Sequence, residues 1–300
     1  MSELLVVGFA GFLASLVDGA LGMGFGPTSS SILLGSGLSP AAASTTVNIA
    51  KVATGVVAAV SHWRFRNIDH KLVLQLAIPG AIGALLGTSV LVRVDGDDVR
   101  PMLAVVLLVV GVRILVRFAR PLPVAAPAAD GNEDALPEYS SKGVEVAAVA
   151  GGVTNGLVGA WGPVVTPFLL HRGLPPRFAV GSVNTAEVAV ATVAAGSLIT
   201  SAGRSGLEVG VVLAMLIGGM LAAPLSAYVV RFVHPRALGL AVAGLLLLTQ
   251  TRELATYFEV GATRWIAYVL IPLVIIGVGV RPLPTRPAVA ATPTLGDAST

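Results

Sequence analysis

The chain has 300 residues, of which 55% are hydrophobic and only 12% charged, with a mean hydropathy of +0.86. A soluble domain of this length carries about a quarter charged residues, so this composition excludes water as the main solvent for its surface. The net charge of +3 comes from 19 Lys and Arg scattered at the ends of apolar runs rather than clustered, a pattern that orients membrane segments and does not bind nucleic acid.

No cysteine is present, which removes disulfides, thiolate catalysis and cysteine-ligated metals. The four histidines (His62, His70, His171, His234) lack HxxxH or HExxH spacing, so neither a metal nor another cofactor is expected. No GxSxG, P-loop or paired carboxylates occur, and no enzymatic activity is expected. Glu3 stands where a secretory signal would be basic, and no clear cleavage site follows.

Read against a span of about 20 residues, the apolar runs are Leu4–Gly35, Pro40–Ser61, Leu72–Val92 and Pro101–Val116, then Gly143–Leu170, Arg177–Thr200, Leu207–Val230 and Arg236–Thr249. A ninth run, Trp265–Val280, has no partner among the first four. The expected organisation is a repeat over 1–117, a Pro/Ala-rich linker over 118–142, a second repeat over 143–251, an added helix within 252–280 and a disordered tail over 281–300.

The repeat is visible in the residues. GLSPAAASTTVNIAKV (Gly37–Val52) and GLPPRFAVGSVNTAEV (Gly173–Val188) share eight of sixteen positions at a constant offset of 136. The same offset pairs Gly26-Pro27 with Gly162-Pro163, and with one residue of slip Asp18-Gly19-x-x-Gly22 meets Asn155-Gly156-x-x-Gly159. Many secondary transporters are built from such repeats, with the solute at their interface.

The first and fifth runs are each broken by glycine and proline, in DGALGMGFGP (Asp18–Pro27) and NGLVGAWGP (Asn155–Pro163). Unwound backbone at membrane depth must be buried in protein or line a wet cavity, which marks Gly22, Gly24, Gly26, Gly159, Gly162 and Trp161 as candidate solute contacts. Leu4–Val17 would rise only about 21 Å as a helix, short of a bilayer core. If these two broken runs turn back instead of crossing, five of the Lys and Arg outside run two (Arg93, Arg100, Arg204, Arg252, Arg264) fall on one side and all the rest on the other. The positive-inside rule prefers that arrangement, which leaves three spans per half and makes the repeats inverted.

Lys51 and Glu187 lie about eleven residues from the ends of their runs, at equivalent repeat positions and with opposite charge. Ionisable residues at that depth face a cavity or a partner. Two readings fit: Lys51 anchoring an anion with Glu187 as a proton-coupling group, or a structural pair that locks the halves together. Asn48 and Asn184 precede them by three residues and share their faces, and Ser44, Thr45, Ser182 and Thr185 add hydroxyls. Asp18 is a second coupling candidate or a helix cap.

The stretch LVDGALGMGFGPTSSSILLGSGLSPAAASTTVNIAKVATG (Leu16–Gly55), echoed in NGLVGAWGPVVTPFLLHRGLPPRFAVGSVNTAEV (Asn155–Val188), resembles the sulfite exporter TauE/SafE family. The resemblance implies an all-α polytopic carrier of the bacterial inner membrane for small organosulfur or organic anions such as sulfite and sulfoacetate. The ninth run departs from the usual eight segments of that family. The expected function is alternating-access transport of a small anion, driven by a proton or ion gradient. A passive anion channel and a membrane scaffold or accessory subunit without transport are the rivals.

Overall fold

A computed structural model describes residues 2–21, 24–120, 139–202, 209–229 and 235–281. Among them there are eleven α-helices and no strand. The first series is α1 (Ser2–Leu21), α2 (Phe25–Gly35), α3 (Pro40–Arg64), α4 (His70–Arg93) and α5 (Gly96–Ala119). The second is α6 (Val144–Val158), α7 (Gly162–His171), α8 (Pro176–Ala202), α9 (Val209–Val229) and α10 (Pro235–Tyr257), and α11 (Arg264–Val280) follows. Five helices, α3, α4, α5, α8 and α10, are long and apolar enough to cross a bilayer. With lipid as solvent their exposed Leu, Val and Ile faces are in place. The molecule is an all-α polytopic membrane protein. Linker residues 121–138 and tail residues 282–300 lie outside the described residues.

The expected runs coincide with helices to within about five residues, save that α10 runs on to Tyr257, well past the expected Thr249, and the first break sits later than expected. The α1 helix continues through Asp18 to Leu21, and α2 begins at Phe25. At 11 and 10 residues, α2 and α7 rise only about 15–17 Å and cannot span a bilayer.

The shared GL(S/P)P motif has a local reason. Gly37 and Gly173 both take positive φ (98° and 91°), the left-handed conformation that ends a helix without a Cβ clash. Leu38 N–H then bonds back to Leu33 O and Leu174 N–H to Leu169 O, closing α2 and α7. Pro40 and Pro176 open the next helices, where a missing N–H costs nothing.

Packing exchanges elements between the two series. Helix α1 packs against α9 and α4 against α6, and α3 packs against α8 and α5 against α10. In the α4–α6 contact a Cβ built on Gly83, Gly87, Gly152 or Gly156 would run into backbone of the facing helix. Gly11 and Gly218 do the same between α1 and α9. Where lipid offers no hydrophobic drive between helices, such small residues bring backbones into direct contact. Arg236, at the start of α10, donates to Phe118 O (3.1 Å), Val278 O (2.7 Å) and Arg281 O (2.9 Å), tying the ends of α5 and α11 together.

Candidate solute site

The two helix breaks meet. Gly26, in the first turn of α2, lies so close to Gly159 that a Cβ on it would overlap the Gly159 carbonyl oxygen. Gly159 has φ +67°, and a Cβ there would strike Val47 at 2.6 Å. Only glycine at both positions lets the breaks touch. Around this junction α3 and α8 pack together, bringing in the faces that carry Lys51 and Glu187.

A small cavity, open on one side, sits at the junction. Its walls are Phe25, Gly26 and Pro27 from α2, Lys51, Thr54, Gly55 and Ala58 from α3, Gly159 from the second break, Gly162 and Pro163 from α7, and Asn184 and Glu187 from α8. Lys51 and Glu187 are the only charged residues among these and form an ion pair, their side chains 7% and 16% exposed.

The ammonium of Lys51 also donates to Asn155 Oδ1 (2.9 Å) and Gly159 O (2.6 Å), so its three protons all have oxygen partners. Asn155 is held in turn, since its amide donates to Asn48 Oδ1 at 2.7 Å. Asn48 donates to Ser44 O (2.9 Å), and Ser44 Oγ donates to Gly156 O (2.7 Å). A buried polar chain thus fastens α3 to the last turn of α6.

Two half-helix N-termini frame the cavity. Gly26 and Gly162 belong to the first turns of α2 and α7, and both line it. Each N-terminus carries roughly half a positive charge from aligned peptide dipoles, and neither N-cap residue, Gly24 nor Trp161, supplies a side-chain cap. With the Lys51–Glu187 pair neutral overall, the two N-termini outweigh the half negative charge at the C-terminal end of α6, whose cap Gly159 also lines the cavity, and leave it positive by about half a charge from backbone.

Of the residues singled out in the sequence, Lys51, Glu187, Asn184, Gly26, Gly159 and Gly162 line the cavity. Asn48 and Ser44 sit behind it in the buried polar chain. Thr45 and Thr185 bond to carbonyls of their own helices, Ala41 O and Gly181 O, and do not line it. Ser182 accepts from the backbone N–H of Asp69. Gly24 is the α2 N-cap. Trp161 is fully buried against Gly80 and Gly151 and donates to Val183 O at 3.1 Å, in the core and not in the cavity wall. Gly22 and the side chain of Asp18 lie outside the described residues.

Asn155 was not among the candidates, yet it contacts both Lys51 and Asn48. Its pairing with Asp18 in the repeat was the signal for it. Phe25, Pro27, Thr54, Gly55, Ala58 and Pro163 were also missed; Thr54 and Gly55 lie one helical turn beyond Lys51 and share its face. Among the described residues no cluster of three His, Cys, Asp or Glu side chains exists.

Residues 7–252 match the protein family described as sulfite exporter TauE/SafE. A curated relative from Bacillus subtilis (strain 168), named "Probable membrane transporter protein YtnM", is 39% identical over 281 residues, covering 93% of this chain and 90% of the relative. No solved structure matches the chain.

Proposed function

Because the chain belongs to the sulfite exporter TauE/SafE family of membrane transporters, we propose that it is a secondary transporter that exports a small anion, such as sulfite, sulfoacetate or another organosulfur or organic anion, from a bacterial cell across the inner membrane. Transport runs by alternating access at the interface of two inverted repeats, α1–α5 and α6–α10. The exchanged packing of α1 with α9 and α4 with α6 supports that symmetry, as do the equivalent breaks.

One observation carries the reading: two half-helix N-termini and a lysine converge on one cavity between the repeats. Anions gain from N-terminal dipoles and from cationic side chains, and gain more where water is scarce. The apolar walls, Phe25, Pro27, Ala58 and Pro163, suit a ligand with one charged end and a small body.

Glu187 couples this site to protons. While it is ionised it neutralises Lys51. A proton on Glu187 leaves Lys51 unbalanced and adds one positive charge to the cavity, which draws the anion in, so proton and anion cross together and export follows when the outward gradient of the anion exceeds the inward proton gradient. At about 5 Å and an effective dielectric constant of about 20, that charge is worth about 3 kcal/mol to a bound anion. Asp18, whose side chain is not described, stays a second coupling candidate.

The test is flux in proteoliposomes containing the purified chain alone. Uphill movement of sulfite or a small sulfonate that collapses on adding an uncoupler is the expected result. Flux that only ever runs downhill would identify a channel, and absence of flux for every sulfite, sulfonate and carboxylate tried would identify an accessory subunit.

A further inference from the structure

The oxygens around the Lys51 ammonium form a cation site. Gly159 O (2.6 Å), Asn155 Oδ1 (2.9 Å) and a Glu187 carboxylate oxygen surround Nζ, all hard donors and with no nitrogen or sulfur among them. Donors of this kind take alkali and alkaline-earth ions, whereas transition metals favour imidazole or thiolate. The site also sits at the C-terminal end of α6, where helix carbonyls carry the negative pole of the dipole.

The cradle is fixed independently of the lysine. Gly159 N–H bonds to Asn155 O at 2.8 Å and Ala160 N–H to Thr154 O at 3.2 Å, so the left-handed turn at Gly159 is closed by backbone alone. The Asn155 side-chain N–H donates to Asn48 Oδ1, which turns Asn155 Oδ1 toward the ammonium. Lys51 reaches this cradle from α3, a different helix from the one that builds most of it. A free monovalent cation would satisfy the same oxygens and balance the same single carboxylate.

We infer that Lys51 acts as a tethered cation, its ammonium filling a site that would otherwise hold Na+ or K+, so that transport by this chain needs neither ion. The substitution that removes the ammonium then opens an alkali-ion site. This inference concerns the site assigned above to anion transport, but its readout is cation binding and not anion flux, so either claim can fail alone.

The test uses the full chain, which contains no cysteine, in two variants, Lys51→Ala and Lys51→Cys. Both are purified and melted in sodium, potassium and choline chloride at equal ionic strength, beside the unsubstituted chain. The variants should show a saturable rise in melting temperature with Na+ or K+ over choline, because an ion bound only to the folded state stabilises it by mass action. Adding Asn155→Leu should abolish that rise. Alkylating the Lys51→Cys thiol with bromoethylamine restores an ammonium in nearly the lysine position and should make the variant indifferent to salt, like the unsubstituted chain. Equal melting temperatures, or equal failure to recover folded protein, in all three salts for both variants would overturn the inference, as would a saturable Na+ or K+ shift in the unsubstituted chain.

Discussion

Removing one member of the Lys51–Glu187 pair is expected to cost far more than removing both. Lys51→Ala deletes the ammonium and with it three contacts, to Glu187, Asn155 Oδ1 and Gly159 O. It leaves a carboxylate in a side chain only 16% exposed with its main counter-charge gone. Breaking a buried ion pair from one side costs about 3–5 kcal/mol, and Glu187→Leu should fall in the same range because it strands the lysine. The double variant Lys51→Met with Glu187→Leu has no stranded charge. What it loses is donation to Asn155 Oδ1 and Gly159 O, about 1–3 kcal/mol for each acceptor left without a partner. The two single costs should therefore exceed the double cost by several kcal/mol. The assay is a double-mutant cycle on unfolding in one detergent at one pH in choline chloride, which keeps alkali ions from replacing the ammonium, with Lys51→Met as the matching single. Single costs that add to the double cost within about 0.5 kcal/mol would refute the reasoning and show that the two groups act independently.

Further consequences concern packing and the chain segment before α6. Gly26→Ala should abolish folded protein, because its methyl group would occupy the Gly159 carbonyl oxygen, whereas Gly196→Ala in α8, with open space around it, should be neutral or stabilising by up to about 1 kcal/mol; size-exclusion profiles and melting temperatures of the two check this. Trp161→Phe should cost about 1–3 kcal/mol through the lost bond to Val183 O and the lost ring volume, yet leave the apparent affinity for the transported anion unchanged in uptake measurements. Tyr139 donates to Asp69 Oδ2 at 2.6 Å, and Asp69 caps α4, so Tyr139→Phe should lower stability by about 1 kcal/mol after allowing for solvent at this partly exposed site. Burial first, then the hydrogen bond and charge of Asp69, push the Tyr139 hydroxyl well above its ordinary value near 10. A raised value means the folded chain holds this proton longer than the unfolded one. The stability difference between native chain and variant should therefore be constant below about pH 10 and shrink as pH rises further, which melting curves across alkaline pH would reveal.

Much of the fold was legible because a bilayer demands long apolar helices, and composition alone reports them. The ends of α3, α8 and α11 fall within three residues of the expected runs, and Pro40 and Pro176 mark two of those starts in the sequence itself. The first break was harder to place. Asp18 and Gly19 look like the end of a helix, yet α1 runs on to Leu21, since one glycine costs a helix only about 1 kcal/mol and neighbouring helices offset that. Lys51 and Glu187 were legible as a pair because charge at that depth is costly and their spacing from the repeat motif is identical. Trp161 was not legible as a core residue. Its position inside a glycine break suggests exposure to a cavity, but Gly80 and Gly151 make room for the ring from α4 and α6, and no local pattern announces contacts that come from such distant helices. Asn155 shows the converse: the repeat aligned it with an acidic residue, and its contact with Lys51 arises only when α6 packs against α3.

The most direct test of the account compares anion uptake against pH for the native chain and Glu187→Gln in proteoliposomes. If a proton on Glu187 releases Lys51 to the anion, the native chain should take up anion increasingly as pH falls, and the glutamine variant should bind the anion at every pH with no such dependence and without uphill transport. Native and variant curves that rise together as pH falls would contradict it, because the proton that drives transport would then reside on another group.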